Sequence, residues 1–259
     1  MKKARDLVNL VLAAVLLAGA ALVAPRAHAA DASSGGPLTL VITYHTTPAN
    51  RVAFRQALEE ELPQFERWKA EGTLENARLL FNRHVDSTTW DALALITLRG
   101  YAAMERWKKI ERDRPAGLSP KALALTTSID TVPGDMLRSG GRDSADGVFL
   151  VIPYEFEMSA TEYGAYFDTY VAPQLQGWMG EHVLARYGAF ISRYPAGRPW
   201  QAMLFFEYAD EPALGARDAT TAKVRAQLAE NPQWKALSDS KKNVRHEKSP
   251  VVADPLEPR

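Results

Sequence analysis

Cysteine is absent from this 259-residue chain. No disulfide can brace it, no thiolate can hold a metal, and no Cys nucleophile is at hand. Also missing are a Gly-rich phosphate loop, a Ser-His-Asp arrangement and a zinc signature, which weighs against nucleotide use and acyl transfer. Histidine is scarce, with five in all. There is no basic run, and Lys plus Arg (31) equals Asp plus Glu (31). Without residues 1–29 the balance becomes 27 against 30, a net charge of −3, so no nucleic-acid partner is expected.

Residues 1–29 have the make-up of a secretory signal peptide. Lys2, Lys3 and Arg5 precede an apolar run from Leu7 to Val23, and Ala27-His28-Ala29 is a cleavage signal. Ala30 is then the mature start, followed by a short flexible stretch, 30–37. The alternative is an uncleaved anchor, since the run is near the minimum spanning length. No Cys follows the run, which excludes lipid attachment, and no Arg-Arg pair precedes it. Export without disulfides suits a bacterial periplasm, with no stable membrane insertion once the leader is gone.

Leu40-Val41-Ile42-Thr43-Tyr44-His45 returns 110 positions later as Leu150-Val151-Ile152-Pro153-Tyr154-Glu155. The match continues ungapped. Pro63-Gln64 falls on Pro173-Gln174, Trp68 on Trp178, Arg83 on Arg193 and Trp90 on Trp200. Such self-similarity is read as an internal duplication. Residues 38–133 form the first repeat, 134–147 a Gly- and Ser-rich linker, and 148–254 the second repeat.

Each repeat reads β-α-β-β-α-β. Strands are expected at Leu38–Tyr44, Leu79–Phe81, Ala92–Leu98 and Ser128–Val132, and again at Val148–Tyr154, Val183–Arg193, Gln201–Tyr208 and Val251–Val252. Phe54, Leu58, Leu62, Phe65 and Trp68 make a helical stripe, with Thr47 expected as its cap and Pro48 at its first position. Pro63 should kink or split that helix, as should Pro173 its twin. Ser159-Ala160-Thr161-Glu162 is a capping box.

That order is the ferredoxin-like motif, whose sheet has one face covered by helices and the other open. Two such halves, with Asn231-Pro232-Gln233-Trp234-Lys235 before a final strand, resemble the dimeric α+β barrel superfamily. The expected fold is therefore α+β, two tandem repeats packed sheet to sheet as a pseudo-dimeric barrel within one chain. The resemblance spans Leu38 to Val252. It implies chemistries as different as cofactor-free antibiotic-biosynthesis monooxygenases, muconolactone isomerases, and haem-binding chlorite dismutases and dye-decolourising peroxidases, so the fold alone does not choose among them.

The topology brings His45, His84 and Asp91 to one rim, and these are the catalytic candidates; the corresponding set is Glu155, Tyr194 and Gln201. Arg83 and Arg193 follow apolar strands and could grip an oxyanion, or equally make an ion pair. Tyr154, Tyr163, Tyr166, Tyr170, Tyr187 and Tyr194 give the second half a tyrosine cluster that the first lacks, suited to a flat apolar ligand or to a core rim. Tyr154, Glu155 and Tyr194 join the two arginines as ligand-binding candidates. No metal or cofactor is expected; haem is the alternative, with His182 or His246 as axial ligand.

Because His45 becomes Glu155 and His84 becomes Tyr194, the leading expectation is a non-catalytic, exported small-molecule-binding or stress-related module. Its partner would be a small apolar or aromatic ligand held in a pocket between the two sheets, with pairing of two chains a further possibility. The competing expectation is a cofactor-independent, monooxygenase-like enzyme acting on an aromatic or polyketide-like molecule.

Overall fold

The computed structural model describes residues 37–257. The expected signal peptide, its cleavage point and nearly all of the 30–37 stretch lie outside the described residues. The chain runs β1 (Leu38–Thr46), α1 (Arg51–Ala70), β2 (Asn76–Asn82), β3 (Ala92–Leu98), α2 (Tyr101–Asp113), α3 (Pro120–Leu123) and β4 (Thr126–Gly141). It continues β5 (Val148–Phe156), α4 (Ala160–Tyr166), a π turn (Phe167–Val171), α5 (Ala172–Gly180), β6 (Leu184–Ser192) and β7 (Ala202–Tyr208). Then come α6 (Glu211–Gly215), α7 (Arg217–Leu228), α8 (Pro232–Ser240), β8 (Arg245–Glu247) and β9 (Val251–Pro255).

This is a mixed α+β fold built on one large antiparallel sheet. The strand order is β7-β6-β4-β1-β3-β2-β9-β5-β8, and a β7–β5 pairing joins the row to itself. Eight strands thus close a ring, with β8 a short addition beside β9 on β5. Two separate sheets facing each other were expected. Instead β4 hydrogen-bonds to β6 and β2 to β9, so backbone pairing seals the seams that packing alone was expected to hold.

Alternation along the strands sorts the core into three. Inward residues from every strand of the ring, among them Val41, Leu93, Phe149, Phe190, Met203 and Val251, fill the barrel together with Trp90 and Trp200. Outward residues of β1–β3 pack under α1 and α2 through Phe54, Leu58, Phe65, Trp68 and Trp107. Those of β5–β7 pack under α4–α8. A side chain every second residue on each face is what a strand dictates, so both faces of this sheet are apolar.

Three local expectations need correction. The segment 134–147, expected as a linker loop, is strand as far as Gly141. Its glycines serve close strand approach: a Cβ at Gly140 would fall 2.6 Å from the Tyr187 ring. The first helix starts at Arg51, not Pro48, because Thr47 spends its carbonyl and hydroxyl oxygens on a turn that accepts from the Asn50 amide at 3.0 and 3.2 Å. α1 runs unbroken through Pro63. Before Pro173 the helix widens into the π turn, one way to absorb the missing donor of a proline. The capping box at Ser159 and Glu162 is present.

Candidate functional site

Asp91 opens β3, and its carboxylate is spent on the fold. Oδ2 accepts from the Thr46 amide at 2.8 Å, and Oδ1 pairs with the Arg51 guanidinium, whose other arm reaches the Asn82 carbonyl. The position 110 later carries Gln201, and its Oε1 accepts from the Phe156 amide at 2.6 Å, the counterpart of Thr46. The same strand-end bond is therefore made twice, once by a carboxylate and once by a neutral amide. His84 is exposed and His45 half-buried near this pair. Among the described residues no group of three His, Asp or Glu side chains gathers as a metal site.

Arg83 and Arg193 each make the alternative, an ion pair. The Arg83 amide bonds the Val252 carbonyl at 2.9 Å, and its guanidinium grips both oxygens of Asp254 at 2.5 and 3.2 Å. The Arg193 amide bonds the Pro133 carbonyl at 2.9 Å, and its guanidinium grips both oxygens of Asp135. Each thus ties the second strand of one half to the last strand of the other. The carboxylates raise both guanidinium pKa values above the ordinary arginine value, chiefly by accepting the hydrogen bonds that Arg83 donates to Asp254 and Arg193 to Asp135. Glu155 pairs with Lys248 at 2.8 Å, and Tyr194 stands 61% exposed.

The pocket expected between the sheets is small. Bulky side chains occupy the barrel and leave about 60 Å³ at one mouth, edged by Arg78, Arg186 and Glu207. The larger space lies on the other face of the sheet, beneath the helices of the second half, and measures about 560 Å³. Its floor is Ile152 and Tyr154 of β5 with Phe206 of β7. Its roof is Val171, Gln174, Leu175 and Trp178. Arg217 and Arg225 of α7 line one side, and Lys241, Lys242 and β8 the other.

Arg245 is the centre of this cavity's electrostatics. Its guanidinium lies 4.3 Å from the centre of the Tyr154 ring, 5.8 Å from Tyr166 and 6.0 Å from Tyr170. Nη1 is buried with no acceptor at hydrogen-bonding geometry. Burial works to lower the guanidinium pKa, but Tyr154, Tyr163 and Tyr166 beside it hold it above the ordinary value, so the group stays charged. Tyr154 donates to Glu247 Oε2 at 3.0 Å, and burial, then Glu247, pushes its phenol pKa up. Burial also raises Tyr166, and takes Tyr208 at the far end up to about 12. The hydroxyls of Tyr166 and Tyr170 and Trp178 Nε1 are buried without partners. A buried cation and buried donors left unmatched call for an acceptor.

Of the tyrosine cluster, Tyr154 lines this space, while Tyr163, Tyr166 and Tyr170 belong to the core beside it. The arginines were missed. A comparison at the 110-residue offset would have found one, because Arg217 replaces Trp107 of the first half. Arg245 pairs with Phe156 as Thr126 pairs with Thr46, so it too replaces a small or apolar residue of the first half.

The equivalent space in the first half is closed. Trp107 stacks edge-on against Trp68 with ring centres 5.8 Å apart, and Ala116, Gly117 and Leu118 are buried beside it. Tyr44, the counterpart of Tyr154, donates to the Ala116 carbonyl at 2.7 Å. Gly117 has φ 79°, and a Cβ there would meet Phe65 at 3.0 Å, so only glycine lets this plug seat.

Haem does not fit the donors present. His182 lies past the end of α5 and is exposed, in the left-handed conformation (φ 59°) that closes the helix. His246 is the imidazole on the cavity wall, but its side chain is 54% exposed and Nε2 is 3.7 Å from Glu157 Oε1. The roof carries no imidazole, and an axial ligand projecting into the cavity is what haem binding needs.

The closed antiparallel ring with helices outside is the fold of the dimeric α+β barrel proteins. A proposed monooxygenase from Lactobacillus acidophilus NCFM is similar, at 12% identity over 85% of this chain and 94% of that one, with a TM-score of 0.55. An anthrone oxidase-like protein matches at 12% identity over 86% and 94%, TM-score 0.50. A chlorite dismutase variant from Candidatus Nitrospira defluvii matches at 10% identity over 87% and 93%, TM-score 0.50. No family model and no curated protein matches the chain. These neighbours carry enzyme names, and that overturns the expectation of a non-catalytic binding module. Among the described residues no helix is long and apolar enough to cross a membrane.

Proposed function

We propose that the chain is an exported enzyme that oxidises a small aromatic molecule with dioxygen and no bound cofactor, in the cavity beneath the second half's helices. The observation that carries this reading is the buried Arg245 guanidinium, its Nη1 unmatched, held over the Tyr154 ring on the wall of a cavity of about 560 Å³. A flat substrate with a weakly acidic C–H or O–H would lie against the Tyr154 ring. Glu247, on the wall, is the group able to accept its proton. Arg245 would hold the resulting enolate or phenolate, charge stabilisation by a preorganised cation. An activated CH₂ then becomes C=O: one oxygen atom of O₂ ends on carbon, and the other leaves as water with both hydrogens.

The names of the monooxygenase and anthrone oxidase-like neighbours support this choice of chemistry. In the same reading the two halves descend from one ferredoxin-like unit, supported by the 110-residue offset and by the paired bonds of Asp91 and Gln201 and of Arg83 and Arg193. One half is left to carry the fold and the other the site. Tyr154 belongs to that site; His45, His84, Asp91, Arg83, Arg193, Glu155 and Tyr194 serve the barrel and its rims.

Oxygen uptake by the purified protein with anthrone as probe tests it. One O₂ consumed per anthraquinone formed, lost in Arg245→Gln, is the expected result. Uptake no faster than in Arg245→Gln would contradict it, and a haem absorption band in the protein as purified would replace it.

A further inference from the structure

We infer that the cavity takes a planar aromatic compound bearing two acidic groups, one held by Arg245 and the other by the arginines of α7. This rests on the cavity being the substrate site. Five cationic side chains line it, against the single carboxylate of Glu247. Glu247, which accepts from the Tyr154 hydroxyl, offsets one of those charges, so the lining keeps an excess of positive charge. A buried cation such as Arg245, without a carboxylate of its own, is costly unless an anion completes it.

The cations stand at separate places. Arg245 projects from β8 over the Tyr154 ring at the sheet. Arg217 and Arg225 lie eight residues apart on α7, about 12 Å along its axis. Arg225 Nε donates to the Gln174 amide oxygen at 2.8 Å, a neutral partner that leaves its charge unspent. Arg217 pairs with Asp218, a 91% exposed carboxylate, where water screens the pairing. The same lining holds Ile152, Leu175, Trp178 and Phe206, apolar surface of the kind an aromatic ring system fills. A monoacid would satisfy one end. A diacid satisfies both.

Quenching of tryptophan fluorescence reads the binding, since Trp178 lines the cavity. The probes are naphthalene-2,6-dicarboxylate, 2-naphthoate and 2-naphthalenemethanol. The dicarboxylate should bind at least about ten-fold more tightly than 2-naphthoate, as expected for an added charge-assisted contact. The neutral alcohol should be weakest, and Arg225→Gln should erase the dicarboxylate's advantage while leaving 2-naphthoate unchanged. Arg245→Gln should weaken both acids; if that variant melts early, Arg225→Gln still decides, because the bond it gives up is to the neutral Gln174 amide. Equal binding of the three probes, or an unchanged ratio in Arg225→Gln, would overturn the inference. Tight dicarboxylate binding without oxygen uptake on any aromatic substrate would sink the enzyme reading and leave this one standing. Uptake confined to neutral substrates would do the reverse.

Discussion

The two halves place the same helices over the same sheet face and treat the space between them in opposite ways. Beneath α1 and α2 it is closed by Trp107, by the plug of Ala116, Gly117 and Leu118, and by Tyr44 locked onto that plug. Beneath α5 and α7 it is a cavity of about 560 Å³, because Arg217 stands where Trp107 would fill it and Tyr154 turns to Arg245 and Glu247. A closed barrel draws its stability from both halves, so one can surrender packing to a site if the other keeps it.

The sharpest way to break the comparison is to truncate the aligned pair. Trp107→Ala should cost about 3–5 kcal/mol, the usual loss for a buried aromatic. Arg217→Ala should cost no more than about 1 kcal/mol, since its side chain borders open space. Urea denaturation compares them, and equal losses would erase the distinction between halves.

Next come the strand-end acceptors. Asp91→Ala leaves the buried Arg51 unpaired and should cost about 3 kcal/mol. Gln201→Ala removes only a neutral bond and should cost about 1 kcal/mol. The double variant Arg51→Thr with Asp91→Gln copies the second half's residues and should recover most of the loss. No recovery would mean the two bonds are not equivalent.

The helix ends differ by less. Gly72 and His182 occupy the same left-handed position, with φ 69° and 59°. A side chain there is strained, so His182→Gly should stabilise by about 1 kcal/mol in thermal melts and Gly72→His should destabilise by about as much.

Smallest is the capping box, present at Ser159 and Glu162 and lacking a counterpart at Ala49 and Val52. The Ser159 hydroxyl and amide hold Glu162 below the ordinary carboxylate range. As pH falls the unfolded chain takes up this proton first. The stabilisation is therefore present above the ordinary range and fades as pH drops through the folded value. Glu162→Ala should flatten the acid limb of the melting temperature against pH, and an unchanged limb would count against it.

Much of the barrel was legible because strands announce themselves locally. Runs such as Leu38–Tyr44 and Ala92–Leu98 are β-branched and apolar on both faces, and their repetition fixed the partners. What was not legible depends on contacts distant in sequence. Composition marked Gly134 and Gly140 as loop residues, but their lack of a Cβ serves close strand approach. Spacing brought Asp91 toward two histidines, while Arg51, forty residues away, claims its carboxylate. Alternation says which residues face the helices. It cannot say whether those helices meet the sheet, and that gap is where the cavity lies. Arg245 reaches Tyr154 only through the pairing of β8 with β5, which no spacing reveals.

A crystal structure of the chain with naphthalene-2,6-dicarboxylate bears most directly on the central claim. Density for the diacid under α5 and α7, one carboxylate on Arg245 and the other toward Arg225, is the predicted result. A collapsed cavity with both arginines turned to solvent, or density only at the barrel mouth by Arg78 and Arg186, would contradict it.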